Sequence, residues 1–151
     1  MSYTFVEFGP REFIASVGIL EVWLMFVVET IDSLHDGPAW LNQARSDWAV
    51  QATGNFGASL DPHLDDHVQG ESSRTLLVQI CDKTIENLRA FGDFVPVATL
   101  NRLAGKRIFE RDIETANVIH TGDFFRRLLS GHLRPEETDA MISWRIKSVE
   151  R

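Results

Sequence analysis

The hydrophobic pattern is dominated by residues 19–34, ILEVWLMFVVETIDSL. Leu20, Trp23, Leu24, Val27, Val28, Ile31 and Leu34 recur at helical spacing and form one long apolar stripe. Ile19, Val22 and Phe26 widen it round the side, so the spacing predicts a core helix covered on more than one face. The turn signal His35-Asp36-Gly37-Pro38 ends it.

Ahead of this helix, residues 3–8 (YTFVEF) are aromatic and β-branched and predict a short strand or an extended arm. Gly9-Pro10 breaks that segment. Pro10 suits the first position of a helix, so Arg11 to Val17 is expected to form a helical turn or two, with Gly18 at the boundary before the central helix. Beyond it, residues 39–53 put Leu41, Ala44 and Trp48 on one stripe beside Trp40 and Ala52, while Arg45 and Asp47 face away, and Gly54-Asn55 stops this second helix.

Residues 54–73, GNFGASLDPHLDDHVQGESS, lack a clear period and predict a long acidic loop with one helical turn after Pro62. Ser72 and Ser73 are N-cap candidates for a strong helix from Arg74 to Phe91 with Leu77, Ile80, Cys81, Thr84, Ile85 and Leu88 inward and Gly92 closing it. Pro96 opens a short helix carrying Val97, Leu100 and Leu103 up to Gly105. Residues 106–119 are weakly periodic and expected to be irregular. Thr121 is expected to cap a helix over Gly122–Ser130, with Phe124, Phe125, Leu128 and Leu129 inward. The tail reads two ways: Pro135 and the acids after it open like a helix, whereas Ile142, Trp144 and Ile146 alternate as in a strand that would pair with YTFVEF. The expected fold is a mainly α, single-domain helical bundle of about five to seven helices, with room for a small two-stranded β element formed by the termini.

The 151 residues argue for one domain spanning 1–151, large enough to bury roughly 70% of its unfolded surface without a disulfide or metal. Cys81 is the one cysteine, so neither a disulfide nor a cysteine zinc site can form within the chain. It falls on an inner helical face and reads as a small buried hydrophobe. The apolar run 13–28 is interrupted by Glu21 and is shorter than the roughly 20 residues a membrane span needs. The opening MSYTFVEFG lacks the basic start of a signal peptide, and a cytoplasmic location is expected.

Charge changes the picture more. Net charge is −7, yet residues 1–73 hold eleven acidic and two basic residues (−9), and residues 74–151 hold eleven acidic and thirteen basic (+2). An acidic half disfavours nucleic acid and anionic membrane as partners, because both need a positive footprint. It suits a basic protein partner, or solubility alone.

Chemical motifs are sparse. In Asp61-Pro-His63-Leu-Asp65-Asp66-His67, two imidazoles at i and i+4 share one face if the segment is helical, and Asp61 or Asp65 would complete a metal site. The residues between the histidines are not those of the H-E-x-x-H zinc helix. A solvated loop with its aspartates capping turns explains the same letters, so no metal or cofactor is expected, with His63 and His67 the candidates if one binds. His120 and His132 flank the Phe124 helix as acid–base candidates without a partner in sequence. The nucleophile elbow, the phosphate loop, the dinucleotide fingerprint and CxxC are all missing. Trp23, Trp40 and Trp48 fall on apolar helical faces, so packing rather than a stacking platform is expected of them.

The order Trp40-Leu41, Trp48 followed by Gln51-Ala52-Thr53, Leu60-Asp61 with Leu64, Leu88-Arg89-Ala90-Phe91-Gly92 and Leu100-Asn101 resembles that of small, mostly helical bacterial proteins of the polymorphic-toxin immunity type. The resemblance covers about residues 20–131 and supplies no catalytic residue. It implies a cytoplasmic protein that protects its producer by binding and blocking a cognate toxin. An acidic inhibitor suits a basic toxin, because complementary charge speeds association and selects partners. The expected activity is therefore protein binding rather than catalysis, with Asp61, Asp65, Asp66 and Glu71 at the contact. The alternatives are a small metal-dependent enzyme using His63 and His67, and a homo-oligomeric structural subunit with the apolar excess of residues 19–28 partly at an interface.

Overall fold

A computed structural model describes residues 2–54, 60–105 and 108–133. Along the chain these form β1 (Tyr3–Phe8), β2 (Arg11–Ser16), α1 (Val17–Asp32), α2 (Ala39–Gly54), α3 (Leu64–His67), α4 (Glu71–Arg89), β3 (Phe94–Val95), α5 (Val97–Leu103), β4 (Ile113–Glu114) and α6 (Thr115–Ser130). The architecture is mainly α, with six helices and two small antiparallel two-stranded sheets among the described residues.

The central helix is α1. Twelve of its sixteen residues are buried, so its apolar stripe is wrapped on several faces. It packs against α2, α4, α5 and α6, and α4 packs along α6. Residues 20–28 are all buried within the chain's own core, so the apolar excess there is used internally rather than left on a surface. Among the described residues, no helix is long and apolar enough to cross a membrane.

Residues 11–16 are a strand, not the expected first helical turns. They pair with β1 in a hairpin whose register runs from Tyr3 opposite Ser16 to Phe8 opposite Arg11. Gly9 takes φ +58 at the first of the two loop positions, and proline's fixed φ suits the second, so Gly9-Pro10 makes a tight hairpin turn instead of starting a helix. Pairing also buries Val6 of β1 with Phe13, Ile14 and Ala15 of β2, and Phe13 stacks at 5.7 Å on Phe124 of α6. Among the described residues the partner of YTFVEF is β2. The tail strand expected to pair with it, including Trp144, lies outside the described residues, as do Pro135 and residues 55–59 of the long loop.

Two helix starts also differ from expectation. α4 begins at Glu71 after Gly70, whose φ of +91 turns the chain, and Ser73 is buried inside the helix rather than capping it. α6 begins at Thr115, not after Thr121. Its first half (TANVIHT) has modest helix propensity, but Thr115, Val118, Thr121 and Gly122 are buried against neighbouring elements, and packing outweighs propensity. The segment before it is clamped: β4 pairs with β3, the Asp112 carboxylate accepts from the N–H of Val97 at the start of α5 (2.8 Å), and the Asn101 amide exchanges two hydrogen bonds with the backbone of Phe109.

Candidate functional site

The acidic segment folds onto α2 and the hairpin. Leu60, Pro62, Leu64 and Val68 turn inward, while Asp61, His63, Asp65 and Asp66 are exposed. One helical turn after Pro62 forms as the sequence predicts. Three side chains of α2 hold the segment. The Trp48 indole N–H donates to the Pro62 carbonyl at 2.7 Å. The Gln51 amide accepts from the Asp61 N–H at 2.9 Å and donates to the Asp61 carbonyl at 2.6 Å. Asp47 accepts from both histidines: its Oδ2 lies 2.9 Å from His63 Nδ1 and 2.8 Å from His67 Nε2. The other Asp47 oxygen accepts from Gln51 at 2.8 Å.

Burial alone would push the Asp47 carboxyl up, but the hydrogen bonds from His67, His63 and Gln51 outweigh it and hold the group below the usual carboxylate value. His63 is raised, first by its hydrogen bond to Asp47 and against the effect of burial, with the charges of Asp61, Asp47 and Asp66 adding to it. Asp61 or Asp65 was expected beside these rings. Asp61 Oδ2 stands 3.7 Å from His63 Nε2, while its Oδ1 accepts from the His63 N–H in a local turn. Asp65 turns to the hairpin, where its carboxylate accepts from the Gly9 N–H at 2.9 Å.

Asp47 is the residue sequence reasoning missed. It is sixteen positions before His63 on a different helix, and its one local signal is a Gln at i+4.

The other expected contact residues divide. Asp61 and Asp65 approach Glu7 of the hairpin, whose carboxyl is raised first by its hydrogen bond to Glu12 and then by the charges of Glu12, Asp61 and Asp65. Asp66 is exposed beside them on α3. Glu71 instead faces Arg74 on its own helix at 4.0 Å. Glu7 and Glu12 face each other across the hairpin and extend the acidic surface, a pairing hidden while residues 11–16 are read as helix.

The remaining candidates are structural. Trp23 and Trp48 are fully buried, and Trp40 packs at the core edge. Cys81 is buried, which pushes its thiol well above the ordinary range. His120 lies edge-on to Phe124 at 5.0 Å and is lowered mainly by burial. His132 continues the chain past α6, its N–H bonded to the Arg127 carbonyl. A cleft of about 580 Å³ between α1, α2 and α5 carries its own ion pairs, Arg45 with Asp32 at 2.8 Å and Arg102 with Glu29 at 3.6 Å.

No protein-family model, no curated protein and no solved structure matches this chain.

Proposed function

We propose that this chain is a protein-binding domain of the immunity type, which binds a basic cognate toxin through the acidic face shared by the β1–β2 hairpin and residues 61–66. The supporting observation is the convergence on the hairpin: Glu7 stands opposite Glu12 across the two strands, the Asp65 carboxylate reaches the Gly9 N–H beside them, and the hydrogen bond to Glu12 and the negative charges of Glu12, Asp61 and Asp65 all raise the Glu7 carboxyl. Among the described residues, Glu7, Asp65 and Asp66 form no ion pair with lysine or arginine. Like charges held together on a rigid scaffold cost stability, and a cationic partner surface relieves that cost while steering association. Asp61 and Asp65 have backbone duties as well, whereas the side chains of Glu7, Glu12 and Asp66 are exposed, and these three carry the charge reversal.

The test is a pull-down from host lysate at low and moderate salt, run in parallel with the Glu7→Lys, Glu12→Lys, Asp66→Lys triple variant. The expected result is one basic protein retained at low salt, weakened at moderate salt and lost with the variant. A partner held equally by both proteins would remove the acidic face from the contact. A wild-type pull-down without a basic protein would remove the inhibitor reading. Light scattering of the purified chain addresses self-association separately.

A further inference from the structure

Asp47, His63 and His67 place one carboxylate oxygen and two imidazole nitrogens within 4.8 Å of one another, brought together from α2 and the 60–67 segment. We propose that these three side chains form a binding site for a divalent transition metal of the Zn²⁺ type, which fastens the acidic segment to α2. The proposal is independent of the toxin-binding reading and assigns no catalytic step to the metal.

Several features favour ligation over a chance meeting of polar groups. Zinc binds imidazole nitrogen and carboxylate oxygen at about 2.0–2.2 Å, which puts ligand atoms roughly 3–3.5 Å apart. The two nitrogens already stand 2.9 Å and 2.8 Å from Asp47 Oδ2, so small side-chain rotations open the triangle around an ion. Both rings aim at the same oxygen, although His63 is exposed and has water available. The outer groups are those a ligand set uses. The Gln51 amide holds Asp47 Oδ1 and leaves Oδ2 facing the imidazoles. The Asp61 carboxylate lies on the side of the far nitrogen of His63, at 3.7 Å, which is where a carboxylate that orients a ligating ring would close in. His63 adopts a left-handed φ of +52, unusual for a residue other than glycine, while its ring meets Asp47 of α2. The two-imidazole, one-carboxylate donor set suits zinc and its neighbours rather than calcium or magnesium, which take oxygen. Three protein ligands leave a fourth position for water.

The experiment uses the untagged 151-residue chain stripped with a chelator. Calorimetric titration with Zn²⁺ should give one ion per chain, and the melting temperature should rise with Zn²⁺ but not with Mg²⁺. Asp47→Asn and His67→Gln should each abolish the calorimetric signal. Gln51→Ala, which leaves all three ligands but removes the group holding Asp47 Oδ1 and the Asp61 backbone, should weaken binding by about 10- to 100-fold. Circular dichroism of the metal-free variants checks that they fold. Co²⁺ substitution should give visible bands without a thiolate charge-transfer band, as expected for nitrogen and oxygen ligands. Stripped wild-type protein that gives no heat and no melting shift would overturn the proposal and leave the cluster as a hydrogen-bonded tie. Zn²⁺ binding that survives both ligand substitutions would overturn it equally, because the ion would then sit elsewhere.

Discussion

Gly122 lies directly against the indole of Trp23: a β-carbon at position 122 would be 2.3 Å from Cζ3 and 2.6 Å from Cε3. α1 and α6 therefore approach as closely as they do because residue 122 has no side chain. Trp23 is fully buried and also meets Phe125 at 5.9 Å, so the ring has little freedom to move aside.

Gly122→Ala tests this contact through two opposed effects. Alanine in a helix interior gains about 0.5–1 kcal/mol over glycine. Overpacking a filled core costs about 1–3 kcal/mol, and the overlap here is severe. The overlap should win, giving a net loss of about 1–2 kcal/mol in urea denaturation. A stabilised variant would mean that the helices can separate freely.

A buried hydroxyl pair joins α1 to α4. Thr30 and Thr84 are 2.7 Å apart, and each also reaches a carbonyl one turn back in its own helix, Phe26 at 3.0 Å and Ile80 at 2.8 Å. Two hydroxyl protons serve three contacts. Thr84→Val should cost about 1 kcal/mol, because Thr30 keeps Phe26 as a partner. The Thr30→Val, Thr84→Val double variant should cost less than the two single changes together, with a coupling of about 0.5 kcal/mol or more. Strict additivity in thermal or chemical denaturation would show that the pair makes no net bond.

The Glu7–Glu12 pair fixes a pH dependence. Glu7 is raised in the folded protein, first by its hydrogen bond to Glu12 and then by like charge, so the folded state holds that proton more tightly than the unfolded chain does. The repulsion is fully present above the raised value and is relieved as pH falls through it. Glu12→Gln should therefore raise the melting temperature at pH 7, and the gain should shrink as pH is lowered toward 4.5, the ordinary glutamate value. A gain that is constant across this window would assign it to something other than the ionised pair.

Trp48 anchors the acidic segment through its indole N–H on the Pro62 carbonyl. Trp48→Phe keeps a ring in the buried site but removes the donor. A loss of about 1–3 kcal/mol is expected from the missing hydrogen bond, the stranded carbonyl and the smaller ring. Hydrogen exchange should quicken most at residues 64–68. Uniform quickening across the chain would show that Trp48 supports the core alone and not this segment.

Much of the helical scaffold could be read from periodicity. α2, α4 and α5 carry apolar residues at a helical spacing along one face and α1 along more than one, and Gly92 and Gly105 mark ends where φ becomes positive. The errors fall where local signals compete. Gly-Pro serves equally as a helix start or a hairpin turn, and the decision at Gly9-Pro10 came from the pairing of Val6 with Phe13. The first half of α6 has little helical propensity of its own, and its helix follows from burial of Val118 and Gly122 against the core.

The candidate site shows the same division. The histidine spacing and the acidic loop were visible as letters, because i and i+4 fall on one face of a single turn. The letters gave an acidic stretch with one helical turn after Pro62, and the burial of Leu60 and Leu64 between the exposed residues 61, 63, 65 and 66 appears only in the structure. Only the tertiary structure decided that Asp47 joins the two histidines, that Asp65 serves the hairpin turn, and that Glu7 and Glu12 complete the acidic face. Such pairings join residues many positions apart, and they form because burial of Leu60, Leu64, Trp48 and Val6 docks three elements together. Periodicity along one element carries information about which face is buried, whereas the identity of the neighbour across that face is settled by packing.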